Sequence, residues 1–336
     1  MSIDTARLEP WLAANVPGFA GPVIIEPFAG GQSNPTFRLT ARSREYVLRR
    51  KPMGRLLPGA HAVDREFRVQ RALSGSGVPV ARMHALCEDD AVIGSAFYVM
   101  DYVEGRVPFD PRLPDLRSDE RRSIYTSMNE TIARLHRLDP AALGLADFGR
   151  PGNYLARQIS RWTKQYRASE TEPIAAMDAL IEWLPRHIPA LDESRIVHGD
   201  YRIDNVILHK TDPGVAAVID WELATLGDPL VDFACHVMVW RFAPDLFRGL
   251  AGSDFAALGI PIEAEYVADY CARTGRAVPA EWDYYIAFSM FRMAAISQGI
   301  MKRALNGTAA SGDAAYWGSR ARPIAEQGWA LAKRLG

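Results

Sequence analysis

The spacing of apolar residues changes once along this chain, and that change constrains the fold more than any other feature. Up to residue 103, short runs of β-formers dominate. "VIIEPF" (23–28), "TFRLT" (36–40), "EYVLRR" (45–50), "ARMHALC" (81–87) and "AFYVMDYV" (96–103) read as five strands, the first three as an antiparallel meander. One helix, "HAVDREFRVQRALSGSG", falls among them. Val63 and Phe67 mark one of its stripes, Glu66, Val69 and Leu73 the next, and Gly75 can end it. Beyond the proline-rich "EGRVPFDPRLPDL", helical periodicity takes over. Ile124, Met128, Ile132, Leu135 and Leu138 repeat at spacings of four and three, with Ser118 as the expected N-cap. Further helices are predicted over 154–168, 174–184, 262–273 and 282–305. The expectation is an α+β chain of two lobes, a small sheet-bearing one over 1–103 and a larger, mainly helical one over 104–336.

A length of 336 residues is enough for two such lobes. A net charge of -1 leaves no global excess of cations to follow a phosphate backbone, so nucleic acid is not an expected partner. Cys87, Cys235 and Cys271 are odd in number, without metal-ligand spacing, and fit a reducing cytoplasm. The N-terminus carries acids and a helical apolar spacing, unlike a signal peptide. The apolar runs "VDFACHVMVW" and "YYIAFSMFRMAAISQGIM" are broken by Asp232, His236, Arg292 and Gln298, so they read as buried helices and no membrane association is expected.

One β-rich island interrupts the helical half: "IVHGDYRIDNVILHKTDPGVAAVIDWE", from Ile196 to Glu222. "NVILH" runs out, "KTDPG" turns, and "VAAVID" runs back, which is a hairpin. With the loop centred near Asp212, Asn205 faces Ile219 and Asp220 lies one residue further on. Paired strands are about 4.8 Å apart, so the Asn205 amide and the Asp220 carboxylate can converge on one hard cation. Two protein oxygens plus substrate phosphates is the usual way of holding Mg²⁺. Asp200 would sit on the loop entering the hairpin, close to the cation and free to meet a substrate hydroxyl.

The spacing His198-x-Asp200-x-x-x-x-Asn205, followed by Ile219-Asp220, resembles the catalytic loop and metal-binding aspartate of the protein-kinase-like phosphotransferases. "HGDYRIDN", "VIDWE" and "GDPLVDFA" together resemble the aminoglycoside phosphotransferase and choline kinase branch. "GGQSNPTFRL", "VLRRKP", "LPGAHAVDREFRV", "NYLARQISRWTKQY" and "FRMAAISQG" are similar to the kinase-like domain found alone in bacteria or fused to acyl-CoA dehydrogenases. The likeness covers nearly the whole chain. It implies a bilobal protein-kinase-like fold that uses ATP and Mg²⁺ to phosphorylate the hydroxyl of a small molecule. By motif, Asp200 is the catalytic aspartate, Asn205 and Asp220 hold Mg²⁺, and Arg202 stabilises charge on the transferred phosphate. The amides near Gly31, Gln32 and Ser33 cover the ATP phosphates, Arg49 binds phosphate with Glu66 as its partner, and the Asp101 carbonyl and Val103 amide grip adenine. Arg stands at 49 where protein kinases have Lys, which leaves Lys51 as the alternative phosphate contact. "DWE" replaces "DFG", and no kinase-type activation-loop ending occurs, which argues against a protein substrate.

The resemblance also implies a functional link to an acyl-CoA dehydrogenase and an acceptor such as a hydroxyacyl-CoA or hydroxy acid. Alternatives are an aminoglycoside or other amino-alcohol kinase, a nucleotide-binding module without catalysis, and a phosphoesterase with metals held by His198, Asp200, Asn205 and His209. Plainer roles are expected for other polar residues. His198 bonds loop backbone, while Asp204, His209 and Asp212 belong to turns and edges. Asp228 and Asp232 cap a helix or brace the catalytic loop, and His136 needs no role beyond the last carbonyls of its helix. Tyr154, Gln158, Trp162 and Tyr166 repeat at helical spacing, as do Phe288, Arg292 and Ile296; one or two of them are expected to line the acceptor pocket.

Overall fold

Strands β1 (Val23–Pro27), β2 (Thr36–Ala41), β3 (Glu45–Arg50), β4 (Met83–Cys87) and β5 (Phe97–Asp101) form one antiparallel sheet in the order β1-β2-β3-β5-β4. This is the arrangement in a computed structural model that describes residues 3–28, 34–53, 61–191, 193–309 and 312–336. Side chains alternate across the sheet. Tyr46, Leu48, Phe97 and Val99 pack on one face with Leu8 and Leu12 of α1 (Thr5–Asn15) and Ile93 of the single-turn α3 (Asp90–Ile93). On the other face Tyr98 and Met83 meet Val63 and Phe67 of α2 (Val63–Leu73). Arg49 alternates with Leu48, so it lies on the α2 face, directly across the ladder from Tyr98.

The two stripes of α2 serve different neighbours. Val63 and Phe67 join the sheet, whereas Val69 and Leu73 are part of the large core of the helical half. Burying a side chain of that size contributes about 1.5–3 kcal/mol, so α2 straps the two lobes together. Arg134 Nη1 donates to the Gly77 carbonyl at 2.5 Å, and the Val218 amide donates to Pro79 at 2.8 Å, which fixes the turn after α2 as well.

The helical lobe contains α4 (Ser118–Arg137), α5 (Tyr154–Ser169), α6 (Ala175–Trp183), α7 (Pro229–Val237), the short α8 (Pro244–Phe247) and α9 (Phe255–Leu258), α10 (Glu263–Thr274), α11 (Trp282–Leu305), α12 (Ala314–Gly318) and α13 (Ala321–Leu335). Ser118 is the first residue of α4 rather than its cap; the Glu120 carboxylate accepts from the Arg117 amide at 3.0 Å and satisfies that end instead. Apolar side chains cover α11 nearly all round because it runs through the middle of the lobe, against α5, α7 and α13. No helix among the described residues is long and apolar enough to cross a membrane.

The predicted β-rich island is present as β7 (Val206–Leu208) paired with β8 (Val215–Val218). It is preceded by β6 (Arg195–Val197), which pairs with β9 (Thr225–Gly227). Behind it lies a buried polar network. Asp232, on α7, accepts the His198 amide at 2.7 Å and the Gly199 amide at 2.8 Å. His136 also reaches Asp232 through Nε2 at 3.1 Å, while its Nδ1 meets the Tyr270 hydroxyl at 2.7 Å. His136 is therefore a fully buried brace, not a residue serving only the end of its helix. Helical periodicity gave no sign of this, because the partners come from α7 and α10. Burial alone would raise the Asp232 pKa, but the His136 hydrogen bond and the His198 amide hold it below the usual 3.8. Asp228 accepts from the Leu230 amide at 2.8 Å and caps α7.

Replacing Asp232 by Ala strands two backbone donors and His136 in the core, and urea unfolding at neutral pH should report a loss of about 3–5 kcal/mol. Because the folded-state pKa of Asp232 lies below its unfolded value, its contribution is complete above that value and disappears as pH falls through the depressed one. The gap between wild type and Asp232→Asn should therefore narrow below about pH 4. A gap that widens on the acid side would contradict this account.

Candidate active site

Gly199 has φ +83°, and a Cβ there would lie 2.7 Å from the Leu223 carbonyl oxygen, so glycine is required for the sharp turn into Asp200. His198 stabilises the same turn. Its Nδ1 accepts the Asp200 amide at 3.2 Å and its Nε2 donates to the Ile219 carbonyl at 3.0 Å, an assignment fixed by the bonding network. Both ring nitrogens are thus engaged, and the ring packs edge-on against Trp221 at 4.7 Å. This removes His198 from the ligand set of a metal-dependent phosphoesterase.

The register predicted for the hairpin is observed. Val206 pairs with Val218, and the Ile219 amide donates to the Asn205 carbonyl at 2.9 Å, so Asn205 and Asp220 emerge together at the hairpin mouth. Asn205 Nδ2 donates to the Asp200 carbonyl at 2.8 Å and to Asp200 Oδ2 at 3.0 Å. That orientation leaves Asn205 Oδ1 facing away from those bonds. Asp220 adopts φ 66°, ψ 59°, an unusual left-handed conformation for a non-glycine residue, and Trp221 anchors the bend by donating from Nε1 to the Val218 carbonyl at 2.9 Å. Asp220 Oδ1 accepts from Arg49 Nη2 at 2.7 Å. An amide oxygen and a carboxylate oxygen at one hairpin end suit a hard divalent cation that completes its shell with water and phosphate. Among the described residues no group of three or more His, Cys, Asp or Glu is placed to hold a metal, so a full protein cage does not compete with this donor set.

Arg49 is the junction of the site. Its Nε lies 2.9 Å from Glu66 Oε2 while Nη2 reaches Asp220, and Glu222 Oε2 stands 3.8 Å away. Glu66 is buried and also accepts from the Tyr98 hydroxyl at 3.0 Å and from Asn34 Nδ2 at 2.6 Å. His61 Nδ1 in turn donates to Asn34 Oδ1 at 3.0 Å. Burial pushes the Glu66 carboxyl up to about 7 against the pull of Arg49 and Tyr98. Burial works against the Arg49 charge too, but Glu66 and Asp220 outweigh it and hold the guanidinium above its ordinary value. Lys51 points elsewhere, 3.9 Å from Asp64. Asn34 and Tyr98 are contributors that motif reading did not assign; the buried carboxylate they serve is visible only in three dimensions. Gly31, Gln32 and Ser33 lie outside the described residues.

Asp101 ends β5, where its amide donates to the Arg82 carbonyl at 2.9 Å and its side chain is held by His84 at 2.6 Å and Arg44 at 3.1 Å. Val103 follows on the irregular segment that leaves the sheet. On the opposite side of the loop, Arg202 Nε stands 3.4 Å from Asp200 Oδ1 and Nη2 donates to Asp204 Oδ2 at 3.3 Å. Asp204 is shared with Arg248, whose Nη1 lies 3.1 Å away and whose guanidinium is stacked 3.4 Å over Phe109. Asp204 is therefore tied to the charge chain Arg248–Asp204–Arg202–Asp200 rather than being a simple hairpin edge. Arg248 comes from a segment with no local signature, so sequence offered no route to it.

Beside the loop is a cavity of about 420 Å³ whose walls include Tyr154, Gln158, Trp162, Gly199 and Arg292. These are several of the residues expected near an acceptor. Tyr166 and Phe288 are core residues instead.

The chain matches the sequence profile described as the phosphotransferase enzyme family over residues 24–285. It is 46% identical over 319 residues to acyl-CoA dehydrogenase family member 10 of Mus musculus, covering 94% of this chain and 30% of that protein. It is 41% identical over 338 residues to acyl-CoA dehydrogenase family member 11 of Homo sapiens, covering 98% and 43%. The chain thus spans less than half the length of these curated relatives. A solved structure from Ralstonia eutropha JMP134, described as a candidate aminoglycoside phosphotransferase, superposes with a TM-score of 0.92 at 55% identity over 99% of both chains. Choline kinase from Cryptosporidium parvum Iowa II shares the fold, with a TM-score of 0.67 at 12% identity over 99% of this chain and 96% of that one. With a five-stranded sheet over a mainly helical lobe, and this match across most of its length, the chain belongs to the phosphotransferase enzyme family.

Proposed function

We propose that the protein transfers the γ-phosphoryl group of ATP to the hydroxyl of a small molecule at the cleft between residues 1–103 and 104–336. The observation that carries this reading is the meeting of Asp200, Asn205 and Asp220 at the mouth of one hairpin, with Arg49 reaching Asp220 from the opposite lobe. The acceptor oxygen forms a bond to the γ-phosphorus while the bond to the β–γ bridging oxygen breaks, and the hydroxyl proton passes to Asp200. Asp200 acts mainly by orienting that hydroxyl, because the transition state is loose. Arg202, held by Asp200 and Asp204, would offset charge on the transferred group. Asn205 and Asp220 would hold Mg²⁺, which when bound neutralises phosphate charge and assists departure of ADP. Arg49 with Glu66 positions the phosphates, Gly31, Gln32 and Ser33 supply amides over them, and the Asp101 carbonyl and Val103 amide take the adenine edge.

The names of the curated relatives support a hydroxyacyl-CoA or hydroxy acid as acceptor and a functional link to an acyl-CoA dehydrogenase. Three unbridged, buried cysteines support a cytoplasmic setting. The intact triad of polar groups disfavours a binding module without catalysis.

Asp200→Ala should lower phosphoryl transfer by at least about 100-fold while ATP-analogue affinity, measured calorimetrically, stays near wild type; full activity in that variant would refute the assignment. Asn205→Ala or Asp220→Ala should weaken Mg-ATP and steepen the dependence of rate on Mg²⁺ concentration, and an unchanged metal titration would remove them from the site. Arg49→Ala leaves Glu66 buried without its cation, at a cost of about 3–5 kcal/mol to folding. Arg49→Lys keeps the charge but cannot span Glu66 and Asp220 together, so it should fold yet bind ATP more weakly.

A further inference from the structure

The cavity next to Gly199 carries an uneven charge. Arg65 enters it from α2, Arg161 from α5 and Arg292 from α11, whereas Glu222 is the carboxylate on its wall and lies 3.8 Å from Arg49. Among the described residues, none of these three guanidiniums is paired with a carboxylate. Arg65 donates to the Phe148 carbonyl at 2.6 Å and sits over the Phe148 ring at 4.2 Å. Arg292 donates to the Gly199 carbonyl at 2.6 Å and to Cys235 Sγ at 3.3 Å. Arg161 lies over the Trp162 ring at 5.3 Å, and Arg292 is 5.3 Å from the same ring. Elsewhere in this lobe some arginines that reach inward are matched, as Arg276 is by Glu193 at 2.6 Å and Arg241 by Glu263 and Asp283, while Arg121 is met by carbonyls.

The pattern has a physical consequence. Carbonyl oxygens and an aromatic face orient a guanidinium but do not cancel its charge. Arg292 also feels the Asp200 and Asp232 carboxylates without pairing directly with either; a concave wall that adds Arg65 and Arg161 to it attracts an anion and repels an ammonium group, more strongly than open water would allow. The outer face of α5 extends this character, since Arg157, Arg161 and Lys164 line the adjoining surface. Trp162 adds a flat apolar floor suited to a hydrocarbon stem. Through its bond to Gly199, Arg292 ties this wall to the residue that precedes Asp200.

We propose that this cavity is an anion-selecting acceptor subsite: it takes a hydroxylated acceptor bearing a carboxylate or a phosphate, with Arg65 and Arg161 reading that charge, and it rejects acceptors bearing ammonium groups. The proposal rests on the phosphotransferase reading and deepens it. Arg292, bonded to loop backbone, is a positioning residue for the catalytic loop.

The test uses the whole chain with Mg²⁺ and a non-hydrolysable ATP analogue, and measures binding by calorimetry. The probes are a medium-chain 4-hydroxy acid, its primary amide, the amino alcohol of equal length, and the same hydroxyacyl chain as a thioester of pantetheine with and without its 4′-phosphate. The carboxylate should bind at least tenfold more tightly than the amide, or the phosphorylated thioester at least tenfold more tightly than its unphosphorylated form, and the two arms tell the two anion sources apart. The amino alcohol should bind no better than the amide. Arg161→Gln, an exposed substitution that spares the fold, should erase the anionic preference and leave ATP-analogue affinity unchanged. Equal binding of all probes, tighter binding of the amino alcohol, no binding of any probe at millimolar concentration, or a preference that persists in both Arg161→Gln and Arg65→Met would overturn the proposal. Transfer to a cationic acceptor without anionic preference would sink the subsite but keep the kinase. Selective anion binding without transfer to any probe would do the reverse.

Discussion

A buried carboxylate needs a cation, and here the cation is shared. Arg49 stands on the sheet face that α2 covers, and its planar fork spans Glu66 on α2 and Asp220 on the hairpin of the other lobe. An ammonium group could satisfy one of these partners, whereas the guanidinium reaches both because its donors diverge in a fixed plane. An arginine at position 49 therefore brings a second attachment, to the hairpin of the other lobe. Glu66 in turn is satisfied by Tyr98, the cross-strand neighbour of Arg49, and by Asn34, so the sheet, α2 and the hairpin meet in one unit of hydrogen bonds joined by the Arg49–Glu66 ion pair.

A second unit holds the loop from beneath. Asp232 accepts two successive amides of the His198–Gly199 turn, and His136 and Tyr270 complete its surroundings without solvent. In a low-dielectric interior such a network is rigid only when every member is satisfied. His198 then passes the constraint forward, bonding the Asp200 amide on one side and the Ile219 carbonyl on the other. Asp200 and Asp220 are consequently placed by the same imidazole, which explains how a short, irregular loop can hold side chains to the tolerance that phosphoryl transfer demands.

The two sides of Asp200 differ in how their charges are balanced. Toward Phe109, Arg202 and Arg248 share Asp204, so charge there is compensated and the guanidinium of Arg202 is steered. Toward α5, guanidiniums are oriented by carbonyls and rings and keep their charge. The wall on that side has electrostatics that differ from the nearly neutral total charge of the chain.

Periodicity and spacing determined much of this protein. The change from alternating to helical apolar patterning marked the sheet and the helices because burial on one face imposes a period of 2.0 or 3.6 on any chain. The hairpin pattern placed Asn205 against Ile219, as observed, although an irregularity between Ile207 and Leu208 separates that level from the "DPG" turn, so burial of alternate side chains holds the register together with the loop. Tertiary structure alone decided the rest. The bracing of the loop by Asp232 was one of the sequence expectations, but His136 looks like an ordinary helix residue until α4 and α7 are packed, and Asn34, Tyr98 and Arg248 acquire partners dozens of residues away. Arg49 and Lys51 stand two residues apart, so strand alternation does not separate them; only packing gave Arg49 the partners Glu66 and Asp220 and left Lys51 beside Asp64, and the basic wall beside Gly199 came from α2, α5 and α11 meeting at one cavity. A net charge near zero conceals such a wall, because the sum over a sequence contains no information about which charges fold to the same side.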